Sequence, residues 1–242
     1  MAALIFFNLL LLIRWGLPDQ PASRQRVLIL SGLMAASALL VYQFTLGWVV
    51  LVALLVLIYW LAERWLPASW LNATRLASLV DSVIVLVVLT LLADTLVGLQ
   101  PREFITALPD LLGKYLGLLM GGLLLAQEAN YLIRCVFQYF NLEPKLQHAA
   151  HAPGDKPSTS NELDADEYKA GRVIGILERW IIYLVLVVSQ NYNIIALIIA
   201  AKGFARFRQM DERPFAEYVL IGTLLSTLLT ILVADFTLRA FD

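Results

Sequence analysis

The stretch GRVIGILERWIIYLVLVVSQNYNIIALIIAAKGFARFRQMDERPFAE, residues 171–217, sets Glu178, Arg179, Lys202 and Arg206 inside two runs otherwise apolar enough for lipid. In hydrocarbon an isolated ionised side chain costs at least roughly 2–3 kcal/mol, so such a group is normally paired or faces a wet interior. The two runs are separated only by Asn191, Tyr192 and Asn193, so they predict a tight antiparallel helical hairpin. Glu178 lies 13 residues before Asn191 and Lys202 lies 11 after it, which puts acid and base level with each other. Arg206 and Glu217 stand five residues on either side of Asp211–Glu212 and are level in the same way. Lys202 and Arg206 share a helix face by their i, i+4 spacing. The expectation is a buried network of Glu178, Lys202, Arg206 and Glu217, extended by Arg179 and by Glu128 and Arg134 from further upstream.

Composition agrees with a lipid setting. Apolar residues make up 60% of the 242 and charged residues 15%, against about 25% charged in soluble domains. Mean hydropathy is +0.75. The formal net charge of -1 argues against a nucleic-acid-binding body, which needs a basic face. A single cysteine, Cys135, excludes an intrachain disulfide.

Apolar runs near 20 residues predict spanning helices, because lipid offers no partner to the backbone of an open strand or loop. The fold class expected is an all-α polytopic transmembrane bundle of about eight helices. They cover 1–13, 27–44, 47–62, 76–98, 111–140, 171–190, 194–208 and 215–238. The first run is short, and if it does not cross, seven helices remain. Its charges follow the apolar stretch and no A-x-A site is present, so it does not read as a cleaved signal peptide. Trp48, Tyr59, Trp60, Trp65 and Trp70 form an interfacial belt. Residues 101–110 read as a polar connection with a short surface helix.

The organisation divides into helices one to five over 1–142, a linker over 143–169 and helices six to eight over 170–242. The linker carries three prolines and the acids Glu162, Asp164, Asp166 and Glu167 with little to bury, so it reads as disordered. His148 and His151 lie there; without cysteine or a rigid helix to complete a ligand set, no metal site and no cofactor is expected. With eight helices, 14 of the 18 Lys and Arg fall on one side, three on the other and Arg179 within helix six. The positive-inside rule then puts the linker in the cytoplasm and both termini outside.

Small residues mark close helix contacts. Gly113, Gly117 and Gly121 are spaced by four on helix five, Gly171 and Gly175 by four on helix six, and Gly222 and Ser226 by four on helix eight. Further polar candidates within spans are Asp81, Glu128, Asn130 and Arg134, with Gln127, Asn130 and Arg134 on one face by i, i+3, i+7 spacing. Catalytic signatures are missing: there is no phosphate-binding Gly-rich loop with Lys, no H-E-x-x-H, no G-x-S-x-G and no histidine in a span. Asp81 and Asp94 are about 20 Å apart along a helix, too far to share a proton.

Three ordered blocks in the last part of the chain carry a resemblance: GRVIGILER at 171–179, AAKGFARF at 200–207 and AEYVLIGTLLS at 216–226. They resemble the C-terminal signature of a family of bacterial polytopic membrane proteins known only as a domain of unknown function. The resemblance covers the last quarter to third of the chain and implies a bacterial inner membrane. Family members begin with a His and Asp motif in the first helix; here that helix offers only Asn8, which leaves the N-terminal half unassigned.

Function follows in three ranks. A small transporter or channel would pass an ion or polar solute along the charged helix interface. A membrane-embedded partner or effector, or a homo-oligomer, would dock through the small-residue faces. An intramembrane enzyme comes third. The bland alternative for the charges is a clamp that fixes helix register, with Lys and Arg stems reaching the interface.

Overall fold

The computed structural model describes residues 1–16, 24–64, 71–91, 99–140, 160–205 and 213–241, and among these it is all-α. The helices are α1 Ala2–Trp15, α2 Arg24–Val41, α3 Leu46–Arg64, α4 Leu71–Leu91, the single turn α5 Glu103–Thr106, α6 Leu111–Leu123, α7 Ala129–Tyr139, α8 Ser160–Ser189, α9 Asn193–Ala205 and α10 Arg213–Phe241. A five-residue π turn, Leu124–Glu128, joins α6 to α7, so 111–139 forms one long helix with a widened turn in it.

Among the described residues, three helices are long and apolar enough to cross a membrane: Leu71–Val88, Leu111–Tyr139 and Ala216–Phe241. Four more are apolar but shorter, Ala2–Trp15, Gln25–Val41, Leu46–Leu61 and Asn193–Phe204. The count by length is therefore below the eight expected from the runs. The reason is geometric: the 14 residues of α1 rise about 21 Å, short of the roughly 30 Å hydrocarbon core. In α8 the apolar run is interrupted by Glu178 and Arg179.

The chain divides into two compact units, Met1–Cys135 with Thr237–Asp242, and Val136–Phe236. In the first unit α1 packs against α2, α4 and α6, and α3 packs against α2 and α4. The α2–α3 hairpin turns at Thr45, whose hydroxyl accepts the Trp48 amide at 3.4 Å, and so caps α3 as small hydroxyl residues do. An apolar cluster of Phe6, Val41, Tyr42, Leu51, Leu86 and Leu99 fills the end of the unit near that turn. Arg102 closes this end: its Nε donates to the Leu39 carbonyl at 2.9 Å and its amide to Val41 at 3.0 Å. Both carbonyls belong to the last turn of α2, which has no donors of its own to fill them.

The glycines of α6 allow close approach inside this unit. Gly117 and Gly121 are buried. Asn8 of α1 reaches the backbone of α6, donating to the Leu116 carbonyl at 3.1 Å. A methyl group on Gly113 would touch Met1, and one on Gly117 would overlap the Phe241 ring. The small-residue face is thus covered from within the chain.

The second unit holds α8, α9 and most of α10. Phe137 stacks on Tyr218 at 4.6 Å between ring centroids and presses on Gly222, where an added Cβ would lie 3.0 Å from Cζ. The α8–α9 hairpin turns at 191–193 as the spacing predicts. The α8 helix begins at Ser160, eleven residues before the expected start at Gly171. The rest of the expected linker, residues 143–159, lies outside the described residues.

Candidate intramembrane charge sites

In the second unit the predicted pairing of α8 with α9 is present. Lys202 Nζ donates to Glu178 Oε2 at 2.5 Å, and the two side chains retain 18% and 20% of their exposure. The neighbouring Arg179 points elsewhere. It is buried, and its Nη1 donates to Ser226 Oγ on α10 at 3.3 Å. Gly175 lies beside it: a Cβ there would sit 3.6 Å from that same nitrogen, in ordinary contact. Gly171 is only partly buried at the same end of α8. Thr223, Ser226, Thr227 and Thr230 are all buried on α10, so its polar seam faces protein. Thr230 donates to the Ser226 carbonyl at 2.8 Å, the back-bond by which a hydroxyl survives in an apolar setting. Of the other expected members, Glu217 is exposed on α10 and Arg206 lies outside the described residues.

The first unit contains a charge site that the spacing argument did not assemble. Arg14, at the end of α1, is fully buried and meets Glu128 in a two-point contact, Nε to Oε1 at 2.6 Å and Nη2 to Oε2 at 2.9 Å. Its Nη2 also donates to the Arg75 carbonyl at 2.8 Å. Its Nη1 donates to Ser78 Oγ at 3.1 Å and to the Tyr59 hydroxyl. A guanidinium has five N–H groups in a rigid fork, and here all five are taken. Four segments, α1, α3, α4 and the π turn, converge on one side chain.

A second layer surrounds this centre. Arg75, buried, donates to the Tyr131 hydroxyl at 3.3 Å with its guanidinium 5.4 Å from the ring centroid. Gln127 Nε2 donates to the same hydroxyl at 2.7 Å. Ser78 and Ser82 bond back to the carbonyls of Arg75 and Ser78 at 2.8 and 2.6 Å. The π turn is what lets both Gln127 and Glu128 face inward, because its wider turn changes the angle between successive residues from that of an α-helix. Within it, Asn130 Nδ2 donates to the Ala126 carbonyl at 2.9 Å.

Glu128 therefore does not extend the α8–α9 network as expected. It is committed to Arg14, because α1 packs on the α6–π segment and brings a guanidinium to it. Asn130 and Arg134 are partly buried on the same long helix, and Asp81 is exposed on α4. Asp94, His148 and His151 lie outside the described residues. Arg14 carried a signal that was open to two readings: a cation at the end of an apolar run looks like a positive-inside loop residue, and only the packing of α1 shows it turned inward.

The two sites differ chemically. The Arg14–Glu128 centre has no donor left on its guanidinium and no exposed surface on Arg14, so it can hold helices together but has nothing to offer a passing ion. The Glu178–Lys202 pair keeps open surface on both partners. Among the described residues, no group of three His, Cys, Asp or Glu side chains is placed to hold a metal ion. Comparison with protein-family models, curated proteins and solved structures finds no match to this chain.

Proposed function

We propose that this chain is a multi-pass bacterial inner-membrane protein that passes an ion or small polar solute, with Glu178 and Lys202 as the working charges. The observation that carries the reading is the contrast between the Arg14–Glu128 and Glu178–Lys202 ion pairs. The Arg14–Glu128 pair is sealed and saturated, whereas Glu178 and Lys202 keep 20% and 18% of their side-chain surface. Buried pairs of the first kind fix register. Intramembrane pairs of the second kind mark a path for charge.

The inner-membrane assignment rests on the resemblance of the three C-terminal blocks. With Arg14 and Arg75 buried inside the first unit, 12 Lys and Arg against three remain on the two sides, which supports an eight-helix topology with the 143–169 segment in the cytoplasm. A role as a pure docking subunit draws less support, because the Gly113, Gly117 and Gly121 face that would receive a partner or a second copy is occupied by Met1, α1 and Phe241.

Reconstitution into liposomes with a panel of cation, anion and neutral-solute flux assays tests the proposal. Flux that disappears in Lys202→Met while the variant remains folded supports it. Liposomes silent to every solute, with folded wild-type protein inserted, would overturn it.

A further inference from the structure

The α9 helix is held in an unusual way. None of its described side chains from Asn193 to Phe204 is buried, and Leu197 and Phe204 are 67% and 81% exposed. In water such an apolar helix would be driven onto its neighbours, but in lipid its surface is already satisfied, so burial supplies no force to fix its position. Packing joins it to α8. Among the described residues, two features bear on the hairpin's geometry. One is the turn, where the Asn193 amide bonds Asn191 Oδ1 at 3.1 Å and Gln190 sits at φ 51°, a left-handed conformation that a residue with a Cβ adopts only under constraint. The other is Lys202 to Glu178, two helical turns and more from that hinge.

We infer that the Glu178–Lys202 ion pair is a releasable latch that holds α9 against α8, and that breaking it lets α9 swing about the 190–193 turn. The physical basis is the asymmetry of the two ends. At the hinge the chain itself holds α9 to α8, while among the described residues the far end is tied to α8 by a charge-assisted hydrogen bond, which in a medium of low dielectric is strong when made and absent when either charge is removed. A competing ion or a proton that reaches the 18% and 20% of side-chain surface left open on Lys202 and Glu178 releases the latch. Arg14 has no such exposure, and its four-segment site has no counterpart of this motion. The inference concerns the same pair as the proposed transport but does not require transport, and its test reads geometry alone.

The experiment places spin labels at Ile174 of α8 and Phe204 of α9, both exposed, in a full-length Cys135→Ser background reconstituted in lipid nanodiscs. With the pair intact, the label distance distribution is single and narrow. In Glu178→Gln and in Lys202→Gln it broadens and its mean lengthens by about 5 Å or more, roughly the rise of one helical turn. The double neutralisation Glu178→Gln with Lys202→Gln leaves no unpaired charge to disturb folding, and it opens the hairpin too. The exchange Glu178→Lys with Lys202→Glu restores the narrow distribution. An unchanged distribution in the double neutralisation overturns the latch. So does a charge exchange that folds and stays open. Flux assays on the same variants reconstituted in liposomes separate the two proposals, since a hairpin that opens in protein silent to all solutes sustains the latch and removes transport.

Discussion

Arg14 spends every N–H it has on protein acceptors, and that saturation determines what its loss would do. Glu128→Gln leaves a guanidinium buried without a counter-charge, and breaking a buried pair in this way costs roughly 3–5 kcal/mol. The purified variant should therefore unfold well below the wild type in a detergent thermal scan. Arg14→Lys keeps the charge but cannot reproduce the two-point contact, and it should fall between the two. The paired replacement Arg14→Met with Glu128→Leu removes both desolvated charges and should recover most of the loss. A double variant no more stable than Glu128→Gln would show that the polar centre is not held by this pair. The α8–α9 pair was legible from residue spacing because a three-residue turn fixes which positions face each other. The Arg14–Glu128 pair was not, since 114 residues separate its members and no short connection sets their register.

The long helix 111–139 shows what element-level patterns reveal and what they hide. Its length, its glycines and its polar end are plain in the sequence, and the glycines do mark close packing. What covers them is not plain: Phe241 comes from the last turn of α10, and no local rule ties residue 241 to residue 117. Gly117→Ala should cost about 1–3 kcal/mol through overpacking, and adding Phe241→Ala should return most of it, measured as the shift of the unfolding midpoint. Equal midpoints for Gly117→Ala and wild type would show that the Phe241 ring moves aside freely. The π turn was hidden altogether, because 3.6-residue periodicity assumes an unbroken α-helix. Such a turn is equivalent to one extra residue within the helix. Deleting Leu124, which is only partly buried, should therefore convert the segment to continuous α-helix while keeping both halves in register. Deleting Leu116 instead rotates all that follows by about 100° and pulls Glu128 off Arg14. The first deletion should yield folded protein by circular dichroism and gel filtration, and the second should aggregate. The reverse order of tolerance would mean that the π turn is not a register insertion.

At the scale of the whole chain, charge and length give different numbers of bilayer crossings. Among the described residues, length admits Leu71–Val88, Leu111–Tyr139 and Ala216–Phe241. Charge distribution favours eight crossings, and short helices do not forbid it, because a bilayer thins locally around them at fractions of a kcal/mol per Å of mismatch, a modest cost. Two positions separate the alternatives. With eight crossings residue 151 is cytoplasmic and Tyr192, at the α8–α9 turn, is outside; with only the three long crossings 151 and 192 share a side. Single cysteines at these positions in a Cys135→Ser background can be probed on intact cells with a membrane-impermeant maleimide. Tyr192 is 58% exposed, so a thiol there is within reach of the reagent. We expect Tyr192→Cys and Thr106→Cys to label from outside and His151→Cys to label only after permeabilisation. The basic residues near 206–213 and 169–172 drive that result, since both flank the hairpin on the side retained with the linker. Equal protection of 151 and 192 would remove the hairpin from the bilayer and, with it, the low dielectric on which the Glu178–Lys202 latch depends.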